Sequence, residues 1–285
     1  MPEFDTTALL GGRYVIEGVL GRGAFAVVYS ARHAGLGTSH AVKVLHAGAS
    51  PEAHARLVAE GHMQAQLQHA NLVRVTEVVE LDGGVALVME RVQGRTLRAR
   101  LARGPLPGSD LRRVADGLLD GVAALHAAGF IHRDVKPENV LLGDDGAVRL
   151  TDLGLGRVAT ARADGGGLTL PGSALGTPGY MAPEAFLDAA SVDERADVWS
   201  VGAVLYELCA GAPLIPSDLP TAEQWRRTAR GDHVPLPPAV PRAVADAIED
   251  AIDPDRAARA PALAALADRW RRAWGAAPPR PPAAG

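Results

Sequence analysis

The spacing of apolar residues changes period at Gly94, and that change limits what the chain can build. Before it, YVIEGVL at 14–20, AVVYSARH at 26–33, HAVKVLH at 40–46, LVRVTEVVE at 72–80 and GVALVMERV at 84–92 are short β-rich runs parted by turn residues, several of them glycine. They predict an antiparallel sheet. One stretch between them, residues 51–69, begins with proline and continues in good helix formers, so a single helix is predicted there. After Gly94, the segments at 109–129, 197–211, 241–252 and 261–274 carry helical periodicity, several opening on serine, aspartate or proline.

The expectation is an α+β chain of two lobes. Residues 1–12 form an N-terminal extension, 13–89 a sheet-rich lobe, 90–94 a hinge, 95–274 a helical lobe, and 275–285 a Pro/Ala-rich linker or tail with nothing to bury. A junction of this kind is a favoured place for a ligand cleft. With 285 residues, 47% of them hydrophobic, the chain can bury a large core.

Charge excludes some partners. A net charge of −4 with scattered arginines offers no basic field for nucleic acid. No apolar run approaches the ~20 residues needed to cross a bilayer, and the first residues lack a charged-then-apolar leader, so no membrane contact and a cytoplasmic location are expected. The single cysteine, Cys209, lies in an apolar helical pattern and reads as a small buried hydrophobe, which excludes an internal disulfide.

The chemistry concentrates in HRDVKPENV at 132–140 and in the acid at Asp152. Asp134 is a candidate acceptor of a hydroxyl proton, Lys136 balances phosphate charge, and Asn139 and Asp152 offer the hard oxygen ligands that magnesium prefers. Upstream, Gly21 and Gly23 sit on a strand–turn–strand where backbone N–H groups can approach phosphates, although a glycine pair alone also suits an ordinary hairpin. Lys43 falls inside the apolar run AVKVL, where an ammonium needs an anion. Glu60 on the predicted helix is its natural protein partner, whereas Glu52 reads as an exposed first-turn acid. His54, His62 and His69 do not converge on one face, which argues against a metal site, and His132 reads as structural.

Glycine loop, strand lysine, helix glutamate, HRD, asparagine and DxG follow one another in the order of the protein-kinase parts. From about Arg13 to Trp270 the chain closely resembles the eukaryotic-like Ser/Thr protein kinases of bacteria. GTPGYMAPE at 176–184 resembles their substrate-facing loop, and DVWSVG from Asp197 resembles their buried helix. The resemblance implies a bilobal protein-kinase fold, with a small antiparallel N-lobe carrying one main helix and a larger, mostly helical C-lobe. The implied activity is transfer of the γ-phosphate of ATP to serine or threonine hydroxyls of protein substrates, with magnesium (or manganese) as the metal.

Lys43, aimed by Glu60, would hold the α- and β-phosphates; Asp134 would accept the hydroxyl proton; Lys136 would offset charge; and Asn139 and Asp152 would hold the metal. Adenine would meet Leu20, Val28, Ala41 and Leu141 and the backbone of Glu90 and Val92, with Met89 as gatekeeper and Gly21 and Gly23 over the phosphates. Lys136 and Thr177 resemble the Ser/Thr-specific branch. Thr169, then Ser173 and Thr160, are the candidate sites of activating autophosphorylation, with Arg133 as the phosphate's partner. A homodimer is compatible with the resemblance, although no residue pattern specifies one.

The chain departs from the pattern at Ala26, Leu153 and Gln64. Gln64 replaces an apolar residue one turn after Glu60, so the helix is expected to be easily displaced at rest, and a nucleotide-binding pseudokinase scaffold stands as the alternative reading. Arg256 and Arg259 compete for Glu184, with Arg259 favoured.

Overall fold

Alternation along the strands sorts the small lobe into two apolar layers. The computed structural model describes residues 9–23, 25–46, 48–81, 84–152, 178–187 and 192–275. The sheet contains β1 (Leu9–Leu10), β2 (Tyr14–Arg22), β3 (Ala26–His33), β4 (Ser39–Leu45), β5 (Val75–Leu81) and β6 (Gly84–Glu90), in the spatial order β1-β2-β3-β4-β6-β5 and antiparallel throughout. On one face Val27, Tyr29, Ala31, Val42, Ala86 and Val88 pack together. Ala41, Leu87 and Met89, displaced by one residue, pack on the other face with Val73, Val75 and Leu57. Leu57 belongs to α1 (Pro51–Gln66), which therefore covers this second face.

The start of α1 follows from its residues. The Ser50 hydroxyl accepts from the Ala53 N–H at 3.3 Å, and Pro51 occupies the first turn, where its missing N–H costs nothing. Its buried stripe is Leu57, Glu60, Gly61 and Gln64, so two of four inward positions are polar. Gly61 permits the close approach, since an added Cβ would lie 2.6 Å from the Leu87 side chain. The helix stops at Gln66, short of the predicted His69; Leu67 turns extended, and the His69 ring accepts from the Asn71 N–H at 3.2 Å in the following turn. Leu9–Leu10, expected in the N-terminal extension, is an edge strand on β2, because Leu10 has an apolar layer to enter.

Beyond the hinge come β7 (Gly94–Thr96), α2 (Leu97–Leu101), α3 (Gly108–Ala127), β8 (Val140–Gly143), β9 (Val148–Leu150), α4 (Pro183–Leu187), α5 (Arg195–Ala210), α6 (Thr221–Arg230), α7 (Arg242–Ala251) and α8 (Leu263–Gly275). Gly94 is required at its position: its φ is +154° and a Cβ would come within 2.0 Å of the Leu142 carbonyl across the β7–β8 pair. Helix α5 is mostly apolar and buried all round from Ala196 to Leu208, the signature of a helix in the middle of a core. Around it pack α3, α7 and α8, closing a single cluster that includes Trp199, Leu205, Ile248 and Trp270. Half-buried Cys209 lies near the end of α5, and burial pushes its thiol up to about 12, leaving it inert. Among the described residues no helix is long and apolar enough to cross a membrane.

The competition for Glu184 is resolved by geometry. Arg259 forks onto Glu184 with Nη1–Oε1 2.6 Å and Nη2–Oε2 2.7 Å, its guanidinium 5.1 Å from the Trp199 ring centroid, while Arg256 pairs with Asp193. Removing one partner of such a buried pair strands the other charge. Arg259→Met is expected to lower stability to urea by about 3–5 kcal/mol, and Arg259→Met with Glu184→Met to recover part of that loss; a single variant as stable as the parent would contradict this.

Candidate active site

Strand pleat decides where Lys43 points. It lies between Ala41 and Leu45 on β4, on the face that α1 covers, and there its Nζ is 3.2 Å from Glu60 Oε1 and 3.1 Å from Asp152 Oδ1. Burial alone would lower the lysine's pKa, but the two carboxylates outweigh it and hold the ammonium well above its ordinary value. Glu60 is raised, chiefly by burial and then by the neighbouring Asp152 charge, whereas Asp152 is held below the usual carboxylate range by Lys43. Asp152 has φ of +57°, a left-handed conformation that costs a non-glycine residue energy and recurs at functional sites.

Gln64 donates through Nε2 to Glu60 Oε1 at 3.4 Å, the oxygen that Lys43 also meets. The expected easily displaced helix is therefore not what the structure contains. The amide finds its partner one turn back on its own helix, and the Lys43–Glu60 pair is formed.

The HRD segment is held from below by Asp197 in the first turn of α5. This fully buried carboxylate accepts from the His132 N–H at 2.7 Å, the Arg133 N–H at 2.8 Å and His126 Nε2 at 2.8 Å. Arg133 is in the left-handed region at φ +67°. His132 Nδ1 accepts from the Asp134 N–H at 3.2 Å, which puts the ring proton on Nε2, where it is donated to the Thr151 carbonyl at 3.1 Å. Burial depresses the histidine's pKa, so the ring stays neutral and ties the HRD turn to the residue before Asp152. Sequence reasoning placed Asp197 only in a buried helix and gave it no site role; the available signal was an acid inside an otherwise apolar run.

Two cations or donors meet on the Asp134 carboxylate. Lys136 Nζ lies 3.1 Å from Oδ2, and Asn139 Nδ2 donates to the same oxygen at 3.1 Å and to the Asp134 carbonyl at 2.8 Å. Committing the amide nitrogen this way turns Asn139 Oδ1, its acceptor atom, to other duty.

Val28, Ala41, Met89, Val92 and Leu141, from four separate segments, converge in one apolar cluster. Leu20 does not join it and lies about half exposed on β2. The Glu90 N–H donates to the Arg74 carbonyl at 2.9 Å, leaving only the Glu90 carbonyl to serve a ligand. Gly21 pairs with Val28 and Gly23 donates to the Ala26 carbonyl at 2.8 Å in the hairpin between β2 and β3. Neither glycine has a positive φ, and a Cβ on Gly21 would meet nothing within 4 Å, so the fold itself does not demand glycine there. Leu153, Thr160, Thr169, Ser173 and Thr177 lie outside the described residues.

A family model described as protein kinase domain matches residues 14–271. CBL-interacting protein kinase 4 of Oryza sativa subsp. japonica is 37% identical over 254 residues, which is 86% of this chain and 54% of that protein. Serine/threonine-protein kinase PknL of Mycobacterium bovis is 36% identical over 251 residues, 87% of this chain and 59% of that protein. The chain thus spans a little over half the length of these relatives.

Lys43 neutralises two carboxylates, so Lys43→Met leaves both unpaired and is expected to cost about 1–3 kcal/mol at neutral pH. Asp152 has a depressed folded pKa, so its contribution is present above the unfolded value and lost as pH falls through the folded one. The gap between parent and variant in urea unfolding should therefore narrow towards about pH 4, where carboxylates protonate; a gap that widens on acidification would refute the assignment.

Proposed function

Because the chain belongs to the protein kinase family, we propose that it is an ATP- and magnesium-dependent enzyme that phosphorylates serine and threonine hydroxyls of proteins. The observation that carries this reading is the pairing of Lys136 and Asn139 on one oxygen of Asp134. An acceptor hydroxyl at Asp134 gives its proton to the carboxylate as its oxygen bonds to the γ-phosphorus and the bond to the ADP oxygen breaks. Asn139 fixes the carboxylate's direction, and Lys136 stands where it offsets charge on the transferring group. Lys43, aimed by Glu60, is suited to the α- and β-phosphates, and the glycines that the backbone does not need leave room for phosphates to approach. Val28, Ala41, Met89, Val92 and Leu141 offer adenine an apolar slot closed at the back by Met89.

The residues fit magnesium. Asn139 Oδ1 and the Asp152 carboxylate are two hard oxygens, and this metal typically takes one or two protein ligands and completes its shell with waters and substrate phosphates. When bound, it neutralises phosphate charge. Asp152, held ionised by Lys43, keeps its carboxylate ready for that role. The same reading assigns Thr169, ahead of Ser173 and Thr160, as the site of activating autophosphorylation, with Arg133 as partner of the added phosphate.

Asp134→Asn is expected to reduce single-turnover transfer from ATP to protein by about 10²–10⁴-fold while nucleotide binding persists. Transfer unchanged in this variant would mean that Asp134 is not the proton acceptor; nucleotide binding without any transfer by the parent chain would make it a pseudokinase scaffold. After incubation with ATP and magnesium, phosphate is expected on Thr169, and modification confined to positions outside 155–176 would exclude the proposed activation.

A further inference from the structure

A second cluster of charge shares the catalytic turn and is not used by the proposed transfer. Glu138 stands between Lys136 and Asn139, the two residues on the Asp134 carboxylate, and Arg98 Nε donates to its Oε1 at 2.8 Å. The same guanidinium donates through Nη1 to Glu207 Oε1 at 2.6 Å, and through Nη2 to the Tyr180 hydroxyl and to Glu207 Oε2, the latter at 3.5 Å. Tyr180 in turn donates to Glu207 Oε2 at 2.5 Å. Glu207 on α5 is 4% exposed and Tyr180 5%. Glu138 Oε2 is buried and has no hydrogen-bond partner among the described residues. A cavity of about 220 Å³ adjoins the cluster, bordered by Arg98, Leu101, Pro105, Glu207, Leu208 and Gly211.

Two carboxylates and a phenol arranged round one planar fork form a receptor for a guanidinium, because only arginine supplies several donors in that fixed geometry. Glu207 is almost fully buried, and a carboxylate in that position is costly to leave without a cation beside it. That cation can come from the chain or from a substrate. An acceptor hydroxyl at Asp134 carries the flanking substrate residues past this turn, each step covering about 3.3–3.6 Å. Glu138 is four positions from Asp134, and Tyr180 lies in the segment that resembles the substrate-facing loop.

We propose that Arg98 is a specificity-determining residue that fills this acidic cage from within, so that the protein does not select arginine or lysine beside the acceptor hydroxyl. A substrate cation finds the carboxylates already paired and meets the positive charge of Arg98, which disfavours it. Truncating Arg98 joins the cage to the neighbouring cavity and opens it to a basic side chain.

The inference rests on the proposed serine/threonine transfer, and a positional-scanning peptide library separates the two. The parent chain is expected to phosphorylate the library with no more than about twofold preference for arginine or lysine at any flanking position, and Glu138→Gln to leave that profile unchanged. Arg98→Ala is expected to gain about tenfold selection for arginine at one position, equivalent to about 1.4 kcal/mol, and Arg98→Ala with Glu138→Gln to lose it. Ethylguanidinium should raise the melting temperature of Arg98→Ala and not of the parent. Strong arginine selection by the parent that Glu138→Gln abolishes would overturn the proposal, and this comparison stands even where Arg98→Ala does not fold. A folded Arg98→Ala with the parental profile, whether or not ethylguanidinium stabilises it, would overturn it too, since Arg98 would then be only a tether. No transfer to any peptide by the parent would instead refute the transfer reading.

Discussion

The catalytic turn hangs from the buried carboxylate of Asp197. Two backbone N–H groups and one imidazole N–H converge on it, and hydrogen bonds to a charged acceptor contribute about 1.5–3 kcal/mol each. They are strong enough to hold Arg133 in its left-handed conformation. Any displacement of the HRD backbone strands a carboxylate inside the core, so the turn is fixed to α5 and moves only with it. This explains why α5 is buried on every side: a helix that anchors this turn from inside needs core around its whole circumference. His132 extends the anchor, since its neutral ring joins the Asp134 amide to the Thr151 carbonyl and so couples Asp134 to the segment that carries Asp152.

The upper half of the cleft is built on another principle. Lys43 is shared by Glu60 and Asp152, groups on different elements, and Gln64 adds a neutral donor to the Glu60 oxygen. None of these contacts is a bidentate fork, so each is more easily exchanged than the forked Arg259–Glu184 pair. The polar pair in the stripe of α1, Glu60 and Gln64, weakens the helix's apolar grip on the sheet while giving the carboxylate a second donor. What an apolar residue would supply as packing, Gln64 supplies as orientation.

Much of this architecture was legible because it follows from period. The five predicted β-runs became β2 to β6 with small shifts in their ends, and Lys43 on an apolar strand marked itself by the cost of an unpaired ammonium. Short elements escaped notice: β8 and β9 are four and three residues long, too short to show alternation, and α6, TAEQWRRTAR, is too polar to read as a core helix. The Arg98 cage was illegible for a different reason. Arg98, Glu138, Tyr180 and Glu207 stand on four segments separated by up to 109 positions, and nothing local to any one of them signals the others. Leu20, placed beside the glycine loop, is about half exposed on β2 and stands outside the apolar cluster that the other wall residues share.

Three acids of the helical lobe share one arrangement, each satisfied by a fixed donor from elsewhere in the same lobe. Asp197 takes backbone amides, Glu207 takes Arg98 and Tyr180, and Glu184 takes Arg259. All three groupings bear on α5, directly or through Trp199 beside Arg259. Forked guanidinium pairs and charge-assisted amide bonds are short and directional, so this lobe behaves as a rigid base whose charges are already spoken for. Against it, the Lys43 cluster is a set of exchangeable contacts facing the cleft. The chain separates the two kinds of contact by place: the fixed pairs lie round α5, and the single, exchangeable contacts lie between β4, α1 and Asp152.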